Sequence, residues 1–211
     1  MPLFIAFEGL DGGGKSTQAR LLAEALRRRG YAVTETREPG GTALGEGIRG
    51  LLLESDAPPA TPLAAAFLLS AARAQLVSEV IGPALARGEV VIADRFADST
   101  VAYQAFGYGL GRESMDRLVA IATGGLRPDV VVYVDIEPEV GLQRVQARGA
   151  GNRFDATGLA FYRRVHRGYR HLAALEPDRW VTVDGAGAPE SVHSAVLRAL
   201  EPILTRVAEA V

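Results

Sequence analysis

A three-layer α/β fold, in which a five-stranded parallel sheet is flanked by helices on both faces, is predicted for this chain by three observations. Five short segments rich in Val, Ile, Phe or Tyr recur along its 211 residues, at 3–7, 31–36, 89–93, 130–135 and 180–184. Helical patterns lie between them, and strands that alternate with helices pack as a parallel sheet covered on both sides. The first of these strands runs directly into Gly9-Leu10-Asp11-Gly12-Gly13-Gly14-Lys15-Ser16. That run matches G-x-x-x-x-G-K-[ST], the phosphate-binding loop, and narrows the class to the P-loop NTPase fold.

The elements follow in order. Leu3-Phe4-Ile5-Ala6-Phe7 is a buried strand, and residues 15–29 are the helix that the loop motif requires after it. The second strand, 31–36, leads to helices at 43–53 and 62–86, the latter opened by Pro62 after Thr61, where a first turn tolerates a missing N–H. The third strand, 89–93, precedes helices at 98–106 and 113–123. The fourth, 130–135, precedes 138–147, opened by Pro138, and 158–175. The fifth, 180–184, precedes 189–207, opened by Pro189. No linker, repeat or low-complexity segment divides the chain, so residues 1–211 are expected to form a single domain.

Composition excludes several classes. Net charge is −2, with 23 Lys+Arg against 25 Asp+Glu, so no bulk positive field points to nucleic acid or to a membrane surface. Apolar runs are short and broken by charge or glycine, and no membrane span is expected. Cysteine is absent, which removes disulfides and thiolate metal sites. Met1-Pro2-Leu3-Phe4-Ile5 runs straight into the first strand with no targeting pattern, so a cytoplasmic protein is expected.

Lys15 is the only lysine, and it sits inside the loop. Loop N–H groups cradle phosphates, the lysine reaches the β and γ phosphates as a compact point charge, and Ser16 supplies a hydroxyl to Mg²⁺. Ligands of such sheets gather beyond the carboxyl ends of the strands. The Gly9 loop, Arg37-Glu38-Pro39-Gly40-Gly41-Thr42 and Asp94-Arg95-Phe96 all occupy that position.

The loop fixes a nucleotide but not a reaction. Guanine recognition by GTP switches uses Asn-Lys-x-Asp, and the single asparagine, Asn152, and single lysine cannot form it. Asp94 ends a hydrophobic strand and is a candidate metal-side carboxylate, with Asp135 as its competitor; Asp135 leads into a helix and is expected to cap it. ATP hydrolases commonly follow that aspartate with a glutamate, whereas Arg95 stands here. A cation beside the metal site suits a second phosphate-bearing substrate.

Four motifs then appear in order: Phe7-Glu8-Gly9 through Lys15-Ser16-Thr17, Thr36-Arg37-Glu38-Pro39-Gly40-Gly41-Thr42, Ala71-Ala72-Arg73-Ala74-Gln75, and Asp94-Arg95-Phe96 through Ser99-Thr100 to Ala102-Tyr103-Gln104. Together with Arg127-Pro128-Asp129 they resemble bacterial thymidylate kinase over essentially the whole chain. The resemblance implies transfer of the γ-phosphate of ATP to dTMP, with Mg²⁺, in a homodimer. It implies that Gly9, Leu10, Asp11, Gly12, Gly13, Gly14, Lys15, Ser16 and Thr17 hold ATP, that Ser16 and Asp94 serve the metal, and that Lys15, Asp11 and Arg95 belong to the catalytic set. By the same resemblance Arg73 donates to the thymine 4-oxo group, Thr100 and Gln104 serve the N3 side, Pro39 packs on the ring, and Tyr103 blocks a ribose 2′-hydroxyl. Arg95, with Arg49 and Glu38, holds the acceptor phosphate and sugar. Leu69 departs from the pattern, because the family carries a stacking phenylalanine there; Phe67 is expected to face elsewhere.

Some members of the family supply an arginine from the phosphate loop, and Leu10, Asp11, Gly12 and Gly13 contain none. The resemblance is therefore to the type whose lid, about residues 144–156, carries the arginines: Arg144 toward ATP, Arg148 and Arg153 as catalytic groups. Gly149-Ala150-Gly151-Asn152 gives that lid a glycine-rich, mobile break. His166, His171 and His193 fall in no motif and are expected on helix surfaces. Two rival readings are another nucleoside monophosphate kinase, for dUMP or a broader range of pyrimidine deoxynucleotides, and an ATP-binding regulatory module without an acceptor.

Overall fold

The computed structural model describes residues 2–54, 59–147 and 158–209. Five parallel strands, β1 (Leu3–Glu8), β2 (Val33–Arg37), β3 (Val90–Asp94), β4 (Val130–Asp135) and β5 (Trp180–Asp184), lie in the order β2-β3-β1-β4-β5. Phe7 pairs with Asp94, and Asp94 with Arg37, so the ends of β1, β3 and β2 arrive at one edge of the sheet together.

Period-two alternation divides each strand between two cores. Leu3, Ile5 and Phe7 of β1, Val90 and Ile92 of β3, and Val130, Val132 and Val134 of β4 face Leu22 and Leu26 of α1 (Lys15–Arg28) and Val196 and Leu200 of α9 (Pro189–Glu209). Phe4, Ala6, Val91 and Ala93 face Leu76 of α3 (Pro62–Leu76) and Ala84 of α4 (Gly82–Ala86). Val131 and Tyr133 meet Val165 and Tyr169 of α8 (Leu159–Leu175). Burial on both faces explains why the strands are nearly continuous runs of apolar residues.

The remaining helices are α2 (Ala43–Leu53), α5 (Ala97–Thr100), α6 (Arg112–Thr123) and α7 (Pro138–Ala147). Thr42 caps α2 through Gly45 N at 3.0 Å, and Thr61 caps α3 through Ala64 N at 3.2 Å. In α1 the capping position is Gly14, at φ 90°, with no side-chain cap, which leaves first-turn N–H groups for a ligand.

Two expected helices are not uniform. The run 62–86 widens into a π turn at Val77–Ile81, just before Pro83, whose ring would clash with the carbonyl four residues back. The run 98–106 begins at Ala97 and widens over Val101–Gly107. The segment Pro62–Ala86 is also long and apolar enough, by length and composition, to cross a membrane, contrary to the expectation of short broken runs. Its midpoint, however, carries Arg73, buried against Glu38 inside the domain.

Helix α7 approaches the phosphate loop backbone to backbone. A Cβ on Gly141 would lie 2.8 Å from Asp11 O, and one on Gly12 would lie 2.4 Å from Gly141 O. We expect Gly141→Ala to push α7 off the loop, with a loss of about 1–3 kcal/mol of stability from overpacking and weaker ATP binding. Denaturant midpoints and ATP titration measure both, and unchanged values would show that the contact yields freely.

Candidate active site

The carboxyl ends of β1, β3 and β2, with α2, α3 and the widened helix after α5, enclose a cavity of about 410 Å³. Asp11, Gly12, Gly14, Lys15, Ser16 and Thr17 line one side. Glu38, Pro39, Arg49, Leu69 and Arg73, then Arg95, Thr100, Tyr103 and Gln104, line the rest, so the expected donor-side and acceptor-side residues share one space. Phe67 is 56 % exposed and faces away, as expected. Gly9, Leu10 and Gly13 of the loop do not line this cavity. A Cβ on Gly9 would come within 2.4 Å of Val134 O, and Leu10 O accepts hydrogen bonds from Gly13 N and Lys15 Nζ at 3.2 and 2.8 Å.

Burial lowers the Lys15 ammonium to about 8, helped by Arg95 and opposed by Asp11, Asp94 and Glu8. Asp11 is held at about 2: burial disfavours its charge, but Arg95, Lys15 and the Tyr103 hydroxyl outweigh that cost. Asp11 accepts from Arg95 Nη2 at 2.5 Å and from Tyr103 OH at 2.8 Å. Arg95 itself sits at φ 74°, the only described non-glycine residue in the left-handed region, with its N–H donating to Phe7 O at 3.0 Å.

On the side expected to serve a metal, Ser16 Oγ donates to Asp94 Oδ2, while the buried Asp94 Oδ1 has no partner among the described residues. A buried acceptor left open beside a hydroxyl fits a divalent cation. No cluster of three His, Cys, Asp or Glu that could hold a metal occurs among the described residues. A cation here would complete its shell with phosphate oxygens and water, the habit of Mg²⁺.

On the far side, Arg73 is a fork bonded nearly to capacity. Its Nε reaches both Glu38 oxygens at 3.0 Å, Nη2 reaches Glu38 Oε2 and Phe96 O at 2.5 and 3.2 Å, and one Nη1 hydrogen goes to Thr100 Oγ1 at 3.0 Å. Glu38, expected with Arg95 and Arg49, lines the same cavity and also orients Arg73. The reason is burial, which pushes the Glu38 carboxyl up and makes a bidentate guanidinium its necessary partner. Arg49 donates to Pro39 O at 2.9 Å. The buried Gln104 Oε1 has no partner among the described residues.

Other expectations are corrected. Asp135 does not serve the metal side, and its carboxylate is engaged by side chains: Oδ1 accepts from Tyr133 OH at 2.8 Å and lies 2.6 Å from His166 Nε2. His166 is therefore buried and not on the helix surface, because it shares the inward stripe of α8 with Tyr162 and Tyr169. Arg144 does not line the cavity; it donates to Gly12 O, Gly185 O and Ala186 O at 3.3, 3.0 and 3.0 Å, tying the phosphate loop to the turn after β5. Arg148 and Arg153, with most of the expected lid, lie outside the described residues. Sequence reasoning gave no role to Arg37, Leu53 or Ser99, which line the cavity, nor to Glu8 and Tyr169 behind it. A charged Glu8 closing a wholly buried strand was the available signal.

A phosphate loop, a metal-side Ser–Asp pair and an arginine-lined acceptor pocket define a phosphate-loop kinase, a class of phosphotransferase. The family model "Thymidylate kinase" matches residues 7–196. Thymidylate kinases of Synechococcus sp. (strain JA-3-3Ab) and Roseiflexus sp. (strain RS-1) are 50 % and 47 % identical, the first over 96 % of this chain and 97 % of its own length, the second over 98 % and 97 %. The crystal structure of thymidylate kinase from Ehrlichia chaffeensis superposes with a TM-score of 0.77 at 33 % identity, covering 94 % of this chain and 98 % of that one. The chain belongs to the thymidylate kinase family.

The position of Lys15 gives a pH prediction. The free protein holds the cation below about pH 8 and loses it above, so ATP affinity should fall roughly tenfold between pH 7 and pH 9. Lys15→Met should bind weakly with no such slope. Calorimetric titration across that range checks this, and a flat wild-type profile would rule out Lys15 as the phosphate-contacting charge.

Proposed function

We propose that this chain transfers the γ-phosphate of ATP to dTMP, giving dTDP and ADP. An acceptor phosphate oxygen bonds to the γ-phosphorus as the bond from that phosphorus to the β–γ bridging oxygen breaks, and the bridging oxygen leaves on ADP. The acceptor is already anionic, so no general base is required; positioning and charge neutralisation carry the catalysis. Lys15 and the loop N–H groups hold the donor phosphates. Ser16 and Asp94 would hold Mg²⁺, which when bound screens charge between donor oxygens. Arg95 and Arg49 take the acceptor phosphate, and Arg148 and Arg153 from the lid neutralise charge on the phosphoryl group in flight.

The observation that carries the choice of acceptor is the pairing of open groups in the far half of the cavity. Arg73 keeps one Nη1 hydrogen, a donor for a 4-oxo group, and Gln104 Oε1 is an open buried acceptor for a ring N3–H. Thymine presents that acceptor and that donor. Cytosine reverses both, leaving two buried polar groups unpaired. Leu69 lines the cavity as an aliphatic cover where a ring would stack. Tyr103, fixed by Asp11 and Arg95 in the wall of the same cavity, would block a ribose 2′-hydroxyl.

The same reading includes a cytoplasmic homodimer. Leu63 and Phe67 on α3 and Ile121 on α6 are 48 %, 56 % and 80 % exposed on two helices that pack side by side, with Leu44 and Leu51 of α2 also exposed. An apolar strip of this kind on a charged surface suits a second copy of the chain. Sedimentation at micromolar concentration should give twice the 22.3 kDa chain mass; a monomer that persists there would refute the dimer.

A panel of dTMP, dUMP, dCMP and AMP with ATP and Mg²⁺ tests the function. We expect dTMP to lead and dCMP to fall below it by on the order of 10⁴-fold in kcat/KM. Equal turnover of dCMP would sink the base reading, and ATP binding with no acceptor turnover would return the regulatory module.

A further inference from the structure

Behind Arg95 lies a buried carboxylate with no part in the transfer described above. Glu8 is fully enclosed at the end of β1. Its Oε1 accepts from Phe96 N and Ser99 N at 2.9 and 3.2 Å, and its Oε2 accepts from Ser99 Oγ and Tyr169 OH at 2.6 and 2.8 Å. The same two hydroxyls receive Arg95 Nη1, at 3.0 and 3.1 Å. A guanidinium only donates, and an ionised carboxylate only accepts. The hydroxyls between them must therefore turn their hydrogens toward Glu8 and their lone pairs toward Arg95. Their own 2.9 Å contact does not alter this, since a hydrogen passed from one hydroxyl to the other still ends on Glu8.

We propose that Glu8 is a positioning residue for the acceptor phosphate: it sets the polarity of Ser99 and Tyr169, and they hold Nη1 of Arg95 in place. Nη2 is held independently, by Asp11 and Tyr103. With both ends of the fork fixed, Nε remains to meet an incoming anion, and the left-handed backbone of Arg95 shows that the site sustains strain to keep the side chain there. The burial and nearby Asp98 that push Glu8 up to about 7 are opposed by Arg95, Ser99 and the Phe96 N–H, so its charge is coupled to the groups it arranges. The inference rests on Arg95 holding the acceptor phosphate.

Glu8→Gln tests it. Its carbonyl oxygen would keep the two backbone N–H groups, so its amide hydrogens would face the hydroxyls and turn their hydrogens against Arg95. At pH 8 the dissociation constant for dTMP should rise roughly tenfold to a hundredfold, with a clearly smaller rise for ATP, because the Glu8 charge also supports the Lys15 ammonium. In a Ser99→Ala, Tyr169→Phe background, which has no hydroxyls to orient, Glu8→Gln should add nothing. If Glu8→Gln does not fold, the background alone, with its carboxylate intact, should show the dTMP loss. Unchanged dTMP affinity in these variants, or additive losses in the triple variant, would overturn the proposal. Arg95→Lys separates the two readings: if it binds dTMP normally, it is the role of Arg95 that fails.

Discussion

The Arg95 to Asp11 ion pair is the contact on which the site depends. It bridges the turn after β3 to the loop after β1, two segments that meet because the strands are neighbours in register. Around it each charge alters the next. Arg95 holds Asp11 ionised and helps to lower Lys15, and Lys15 in turn helps to hold Asp11. Burial still lowers the Lys15 ammonium to about 8 despite Asp11, Asp94 and Glu8. An entering phosphate adds counter-charge beside it, so binding relieves a desolvation cost already built into the fold.

Polar groups around the cavity fall into two kinds. Arg73, Arg95, Glu8 and Glu38 are bonded nearly to capacity within the protein, which fixes the walls before any ligand arrives. Asp94 Oδ1 and Gln104 Oε1 are buried and open. An orphaned acceptor costs about 1–3 kcal/mol in a dry interior, a cost that a partner from outside the chain would remove. One lies beside the phosphate loop and the other in the half of the cavity lined by Arg73.

Most of the fold was legible because its causes are local. Apolar strands, prolines in first turns and the loop motif placed all five strands and the helices to within a few residues. The exceptions differ in kind: the π turn at Val77–Ile81 answers to Pro83 further along the same helix, a local cause, whereas the one over Val101–Gly107 has no proline to signal it. In the site, residues from the four motifs line one cavity. Asp135 and His166 were misread and the Arg73 contact of Glu38 was missed, because burial and partners decide them, and neither Arg73 beside Glu38 nor α8 across β4 can be seen in spacing. Tyr169 was invisible for the same reason, lying 161 residues from Glu8, whose charge it helps to satisfy.

The same physics explains why a chain so rich in arginine keeps one lysine. Arg73 divides its fork among a carboxylate, a hydroxyl and a carbonyl, Arg144 spans three carbonyls on two segments, and Arg95 joins Asp11 to three hydroxyls. Each of these positions asks for several fixed directions at once, which a planar guanidinium supplies and an ammonium does not. Lys15 has the opposite task. Its one hydrogen-bond partner among the described residues is Leu10 O, a contact that a phosphate entering the loop would replace. A rotatable point charge with a single weak tether meets that need, and a fork locked into the loop would not.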